Sequence, residues 1–191
     1  MSTNQNLSTK LLDRKSTALL VIDLQSKLMP VIFESQRVIR NCQVLLRLAE
    51  ILGLPTIMTT QYQKGLGSVV PEITSVVPKL KPLDKTSFGC FGDEAFLRHL
   101  KQRAPQAHTL LVAGVESHVC VTQTVLGALK DGYLVHVATD AISSRTAENW
   151  QIGLKRMERA GAIVSSTEMM VYELLGSSGT PEFKAMLPLL K

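Results

Sequence analysis

Three side chains of different types in this 191-residue chain could perform nucleophilic chemistry together: a thiol, a carboxylate and an ammonium group. Cys120 follows the third long apolar run of the chain, Asp23 closes the first run, and Lys85 lies in a mixed segment between them. A thiol whose proton is taken by a neighbouring base can attack a carbonyl carbon and form a covalent intermediate. Because the three residues are far apart in sequence, this chemistry requires a fold that brings them together.

Short aliphatic runs predict the strands of such a fold. The runs are mostly continuous rather than alternating, which is typical of strands buried on both faces of a parallel sheet. We predict strands at 18–22, 55–60, 109–115 and 133–138, a weaker one at 162–165 and a short one ending near Lys85.

Helical patterns lie between the strands. Apolar residues at helical spacing predict helices at 37–52, 93–103, 118–130 and 147–160, with one or two closing helices after residue 167. The alternation of strands and helices predicts a doubly wound α/β fold. We expect residues 17–191 to form one domain and the polar residues 1–16 to form a loose tail. The long segment 61–85 is expected to be functional rather than inert.

In an open parallel sheet, ligands bind beyond the carboxyl ends of the strands. The predicted strands place Asp23, Lys85 and Cys120 at that edge, and therefore in one crevice. Four further residues at the same edge are candidates for the wall of a substrate pocket: Gln25, Gln61, Tyr62 and Phe88. Turn formation or core packing is the alternative role for each of these four.

Cys120 has two possible roles at this stage. In the first turn of the predicted helix, free N–H groups and the helix dipole would lower the pKa of its thiol and activate it. The alternative is a small buried core residue, as most free cysteines are. The other two cysteines are expected to pack: Cys42 on an apolar helix face, and Cys90 in a glycine-containing turn. Asp23 and Lys85 also have ordinary alternatives, as a strand-ending residue and a solvated surface lysine.

Composition and missing motifs exclude several classes of function. The net charge of +5 is spread without basic blocks, so we expect no nucleic-acid partner. No apolar run is long enough to suggest a membrane span, and three cysteines without a secretory leader indicate the cytoplasm. Metal-ligand spacings and nucleotide-binding glycine motifs are missing, so neither a metal nor a cofactor is expected.

With these residues placed, the chain resembles the isochorismatase-like cysteine hydrolases. The resemblance rests on four short segments in the family's order and spans about residues 17–175: Leu19–Gln25, Lys85–Phe88, Val112–Val121 and Thr139–Arg145. The segment 61–67 is more similar to the isochorismatase domain-containing branch than to nicotinamidases. The resemblance implies a three-layer αβα fold around a six-stranded, mostly parallel sheet.

The resemblance also implies roles for the candidate residues. Cys120 would be the nucleophile, Asp23 the base that takes its proton, and Lys85 the cation that orders the pair. A cis peptide bond before Glu116 would direct the backbone N–H groups of Glu116 and Cys120 toward an oxyanion. Two departures limit the likeness: the metal-binding histidines of nicotinamidases are missing here, and Cys120 argues against the vinyl-ether chemistry of true isochorismatases.

These observations lead to the hypothesis of a metal-independent thiol hydrolase that acts on a small amide, imide or related C–N bond. Two alternatives stay open: a non-catalytic binding or scaffold relative, and a redox-sensing protein in which Cys90 pairs with Cys120. We also expect a homo-oligomer, with the apolar segment 65–70 as one candidate contact. A His118–Cys120 dyad is not expected, because residues two apart point to different sides of a helix.

Overall fold

The structure is a computed structural model that describes residues 10–190. Six strands form one sheet in the order β3-β2-β1-β4-β5-β6, and every neighbouring pair is parallel. They are β1 (Thr17–Ile22), β2 (Thr56–Gln61), β3 (Leu83–Lys85), β4 (Thr109–Val115), β5 (Leu134–Ser143) and β6 (Ile163–Ser165). The predicted six-stranded parallel sheet is confirmed.

Helices cover both faces of this sheet. Within residues 10–190 they are α1 (Ser35–Leu52), α2 (Gln63–Leu66), α3 (Pro71–Thr74), α4 (Glu94–Arg103), α5 (Thr122–Lys130), α6 (Ala147–Arg159), α7 (Thr167–Leu175) and α8 (Pro181–Met186). Buried residues of α1, α3, α7 and α8 form one apolar cluster, and those of α4, α5 and α6 form a second cluster on the other face. This arrangement confirms the three-layer αβα fold.

The long segment between β2 and β3 contains structure that the sequence did not predict. Helices α2 and α3 have four residues each, which is too short for an apolar period to be visible. Val69 and Val70 are buried in the core of this same chain. These two valines are therefore already covered within the chain, and a partner contact through the other residues of 65–70 stays a prediction.

The predicted loose tail covered residues 1–16, of which 1–9 lie outside the described residues. In the described part, Leu12 is buried, and its N–H donates to Glu173 Oε2 at 3.1 Å. Residues around Leu12 therefore pack against α7. Within residues 10–190 no helix is both long and apolar enough to cross a bilayer.

The strand order produces a switch point between β1 and β4. From β1 the chain builds outward to β2 and β3 on one side, and from β4 to β5 and β6 on the other. The two central strands approach closely: Gly114 has φ +116°, and a Cβ there would collide with the carbonyl oxygen of Ile22. A crevice forms outside such a switch point, at the carboxyl ends of the strands.

Candidate active site

Asp23 lies immediately after β1, at the switch point, and its side chain is fully buried. Its backbone adopts the left-handed conformation, with φ 55°. The hydroxyl of Thr59 donates to Asp23 Oδ1 at 2.8 Å, and the Asp23 N–H donates to the carbonyl of Thr59 at 3.2 Å. Strand β2 therefore fixes both the backbone and the carboxylate of Asp23.

Lys85 ends β3 and reaches the same point from the edge of the sheet. Its Nζ lies 2.8 Å from Asp23 Oδ2, and neither side chain is exposed at all. The ammonium group also donates to Gln61 Oε1 at 2.8 Å and to the carbonyl of Phe88 at 3.1 Å. Burial opposes its charge, but Asp23, together with Cys120 and Cys90, outweighs that effect and raises the pKa of Lys85. These hydrogen bonds offset part of the cost of burying the two charges.

Cys120 lies in a π-helical turn, Ser117–Val121, that connects β4 to α5. Burial raises the pKa of its thiol to about 12; the Asp23 carboxylate raises it further, by its charge and as a hydrogen-bond acceptor, whereas Lys85 opposes the shift. Our expectation of a lowered thiol pKa was wrong. The sequence showed the helix terminus and placed a carboxylate in the same crevice, but it did not show the burial of the thiol, which is the largest cause of the shift.

The raised pKa defines what this thiol can do. At neutral pH it is protonated, and the Asp23 carboxylate, which pairs with Lys85 and acts on the thiol as a hydrogen-bond acceptor, can take its proton. Proton transfer from thiol to carboxylate at the moment of attack is general-base activation of a nucleophile. The three predicted residues are thus brought together in an arrangement that suits covalent chemistry.

The two glutamines predicted as pocket walls brace this network. Gln25 is fully buried; its Oε1 accepts from the Gln61 N–H at 2.7 Å, and its Nε2 donates to the Gly67 carbonyl at 2.7 Å. The side chain of Gln61 in turn accepts from Lys85 and donates to the carbonyl of Thr86 at 2.7 Å. The pair therefore holds the loops after β1, β2 and β3 together.

The two aromatic candidates contribute only their backbones to this network. The Tyr62 N–H donates to the Lys85 carbonyl at 2.8 Å, while the Phe88 carbonyl accepts from the ammonium group. Their side chains are 51% and 55% exposed, respectively. Both rings are therefore accessible beside the buried charges.

Glu116 follows β4 directly, and the Val115–Glu116 peptide bond is cis, as the resemblance implied. The Glu116 carbonyl accepts from the N–H groups of Val119 and Val121, at 3.0 and 3.2 Å. Among residues 10–190 its own N–H makes no hydrogen bond. The Glu116 side chain accepts from Arg145. This N–H is therefore a free donor beside the turn that carries the thiol.

His118 does not pair with the thiol. Its Nδ1 lies 2.9 Å from the hydroxyl of Ser144, on the loop after β5. This contact agrees with the expectation that a His118–Cys120 dyad does not form.

The other two cysteines differ in their surroundings. Cys42 is buried on α1, its thiol donates to the Ala141 carbonyl at 3.6 Å, and burial raises its pKa. Cys90 is buried beside the charged network; burial raises its pKa to about 11, with Lys85 opposing. The N–H of Cys90 and the carbonyl of Cys120 are joined through the hydroxyl of Thr124, at 3.0 and 2.7 Å.

Sequence reasoning missed Thr59, Thr124 and Arg145 as parts of the site. The two threonines look like ordinary strand and helix residues, and only the strand register brings Thr59 to the carboxylate. Arg145 lies within a segment that carried the family resemblance, but no spacing linked it to Glu116. Among residues 10–190, no group of three or more His, Cys, Asp and Glu side chains is arranged to hold a metal ion.

Comparison with known proteins places this site in a family context. The family model described as "Isochorismatase domain" matches residues 17–169. A secreted isochorismatase effector, Isc1, of Phytophthora sojae is 38% identical, over 92% of this chain and 85% of its own. Isochorismatase domain-containing protein 2 of Bos taurus is 34% identical, over 92% and 83% of the two chains.

Two solved structures show the same architecture. The MAR1 ribonuclease from Caenorhabditis elegans superposes with a TM-score of 0.87 at 35% identity, covering 95% of this chain and 92% of its own. The ycaC gene product of Escherichia coli, described as an octameric hydrolase of unknown specificity, gives a TM-score of 0.83 at 27% identity, covering 94% and 87%.

Proposed function

The chain belongs to the isochorismatase family of hydrolases, and we propose that it is a metal-independent cysteine hydrolase of a small amide, imide or related C–N bond. One observation carries this proposal: a fully buried Asp23–Lys85 ion pair adjoins a thiol whose pKa the carboxylate raises. A buried charge pair is costly to maintain for stability alone. Its position at the switch point, beside a nucleophile, supports a catalytic role.

The proposed reaction begins with proton transfer from the Cys120 thiol to the Asp23 carboxylate. The sulfur attacks the substrate carbonyl carbon, and the N–H groups of Glu116 and Cys120 stabilise the resulting oxyanion. When the C–N bond breaks, Asp23 returns the proton to the leaving nitrogen, so ammonia or an amine departs and a thioester remains. Water, with Asp23 again as base, then releases the acid and restores the thiol.

Lys85 stabilises both charge states of this cycle. Before attack it pairs with the Asp23 carboxylate, and during attack its charge favours the developing thiolate, since it already opposes the rise in the pKa of Cys120. Gln61 orients the ammonium group, and Gln25 orients Gln61. We propose the exposed rings of Tyr62 and Phe88 as the substrate-contacting residues of this set.

The experiment that tests the proposal is a screen for ammonia release from small amides, imides and ureas. A short RNA is included, because one similar solved structure is described as a ribonuclease. We expect a small C–N substrate to be cleaved, Cys120→Ala to abolish turnover, and Cys42→Ala to retain it. Retained turnover in Cys120→Ala would contradict the covalent mechanism.

Controls separate this proposal from the two alternatives. A scaffold protein would show no Cys120-dependent turnover of any compound. A redox sensor would instead form a Cys90–Cys120 disulfide after mild peroxide, visible as a linked peptide pair that is about two hydrogens lighter than the sum of the two peptides. Turnover that is lost on dialysis against EDTA and restored by one metal ion would contradict metal independence.

We also propose that the protein is a homo-oligomer located in the cytoplasm. The octameric state printed for the similar Escherichia coli hydrolase supports the first statement. The three cysteines are free thiols, which suits a reducing compartment. Light scattering at micromolar concentration tests assembly, and a monomer mass would contradict it. Cell fractionation tests the location.

A further inference from the structure

We propose that the carboxylate of Glu116 and the side chain of Arg145 form a clamp that positions the Glu116 N–H for the oxyanion. This inference rests on the proposed function, because it concerns the same covalent step. Both are positioning groups, since the side chains act through the backbone N–H of Glu116 and need not touch the substrate.

The contacts of the clamp are specific. Glu116 Oε2 accepts two hydrogen bonds from Arg145, one from its backbone N–H at 3.2 Å and one from Nε at 2.9 Å. The Glu116 side chain is 11% exposed, whereas that of Arg145 is 60% exposed. Because one of the two donors is a backbone group, the clamp ties the turn after β4 to the main chain after β5, and not only to a mobile side chain.

Apart from the clamp, the backbone hydrogen bonds of Glu116 within the described part of the chain come only from the π-helical turn that follows it. The carbonyl of Glu116 accepts from two N–H groups of the π-helical turn, which fixes the following peptide unit. Among residues 10–190 the two hydrogen bonds from Arg145 are the only ones that join Glu116 to the β5–α6 loop. Neighbouring contacts fix the next residues instead: His118 bonds to Ser144, and the Ser117 hydroxyl donates to the Trp150 carbonyl.

The expected consequence is kinetic. An oxyanion donor acts through its fixed position, and displacement by about 1 Å can cost on the order of 100-fold in rate. The Arg145 side of this pair is largely exposed, and the Arg145 backbone N–H remains as a partner of the Glu116 carboxylate when the side chain is removed. Removing the Arg145 side chain should therefore leave the fold intact, allow Glu116 to shift, and slow only reactions that pass through an oxyanion.

Two reactions of the same thiol separate these effects without knowledge of the physiological substrate. Acylation by p-nitrophenyl acetate passes through a tetrahedral oxyanion, transfers the acetyl group to Cys120 and releases p-nitrophenolate. Alkylation by iodoacetamide displaces iodide at a saturated carbon and forms no oxyanion. Both need the thiol to lose its proton, so their ratio reports the oxyanion donor alone.

We expect Arg145→Ala to lower the Cys120 acylation rate about tenfold while alkylation changes less than about twofold. Glu116→Gln keeps an acceptor for the Arg145 N–H and should give a smaller loss. The matched control is Arg98→Ala, which removes an arginine from an exposed ion pair with Glu94 on α4; it should change neither rate. Thermal unfolding verifies that each variant is folded.

Equal losses in both reactions, or no loss in either, for folded Arg145→Ala and Glu116→Gln would overturn the clamp. Failure of the proposed function gives a different result: the wild-type protein would then show no acylation that Cys120→Ala removes. Peptide mass spectrometry after each reaction identifies the modified cysteine and keeps the two outcomes apart.

Discussion

Cys42 and Cys120 occupy two regions of the molecule that resemble each other in burial and differ in charge. Both thiols are buried, and in both regions burial is the main cause of a raised pKa, with a nearby aspartate raising it further. Cys42 has Asp140 nearby and no cation among the causes of its shift. At Cys120, Lys85 opposes the shift and pairs with Asp23 at 2.8 Å.

The difference shows that a thiol pKa alone does not mark a nucleophile in this fold. What distinguishes Cys120 is a carboxylate that lies buried beside it and pairs with a cation. The Cys42 thiol instead donates a hydrogen bond to a backbone carbonyl of β5, and this contact lies within the packed core. The comparison predicts that disturbing the charges around Cys120 has large effects, whereas the region of Cys42 tolerates change.

The largest expected effect is on stability. Lys85→Met keeps the chain length but leaves the Asp23 carboxylate buried without a cation, so we expect unfolding free energy to fall by about 3–5 kcal/mol. Urea unfolding measures this loss. Lys101→Met, on the exposed side of α4, is the matched control and should change stability by less than about 0.5 kcal/mol.

The double variant Asp23→Asn/Lys85→Met sharpens this test. Removing both charges should recover most of the lost stability, because the cost comes from the unpaired carboxylate and not from the missing lysine. A double variant as unstable as Lys85→Met would show that packing, and not charge, explains the loss.

A smaller effect is expected on the thiol itself. In Asp23→Asn the carboxylate no longer raises the pKa of Cys120, so that pKa should fall from about 12. Below the thiol pKa the alkylation rate follows the thiolate fraction. We therefore expect iodoacetamide to modify Cys120 about tenfold faster at pH 8 than in the wild type, for a fall of roughly one unit.

Turnover should change in the opposite direction in Asp23→Asn, because asparagine cannot carry the proton to the leaving nitrogen. Rates against pH for alkylation and for p-nitrophenyl acetate turnover measure both effects. Cys42 in the same sample is the internal reference and should stay almost unmodified. Wild-type turnover in Asp23→Asn would remove this residue from the mechanism.

The smallest expected effect concerns a buried polar group outside the site. His136 of β5 is 2% exposed, and neither ring nitrogen has a hydrogen-bond partner among residues 10–190. Burial lowers the pKa of His136, with Glu173 opposing. The unfolded chain therefore takes up this proton at a higher pH than the folded chain. Above about pH 6.5 the ring is neutral in both states, and His136 does not weaken the fold. As the pH falls below that value, protonation of the unfolded chain lowers the free energy of unfolding.

His136→Leu should remove this acid sensitivity. Between pH 7 and pH 5.5 we expect the wild type to lose about 1 kcal/mol more unfolding free energy than the variant. The exposed His108→Gln is the control and should follow the wild type. If the free energy of unfolding fell equally with pH in the wild type and in His136→Leu, His136 would not be the cause of the acid sensitivity.

The sequence predicted the layers of the fold and the three central residues of the site, because both leave patterns in the chain. Continuous aliphatic runs predict buried parallel strands, and Asp23 and Lys85 stand where such strands end. The environment of each group could not be predicted in the same way. The sign of the Cys120 pKa shift depends on burial and on the distance to Asp23, and both are set by tertiary packing.

Contacts between segments far apart in sequence could not be predicted from the sequence either. Thr59 contacts Asp23 only through the register of β1 with β2. Arg145 contacts Glu116 because the loops after the neighbouring strands β5 and β4 lie side by side. Neither has a local motif. Backbone roles were also missed: Phe88 was proposed for its ring, whereas its carbonyl contacts the ammonium group.

The short strand β3 has a consequence for local opening of the protein. It is an edge strand of three residues that pairs only with β2, so its ladder alone is a weak attachment. Its last residue, Lys85, is anchored by the buried ion pair. Detaching this edge therefore also removes the cation from Asp23, so amide hydrogen exchange in β3 should report the same opening event that inactivates the site. The charge pair thereby helps to keep the edge strand attached to the sheet.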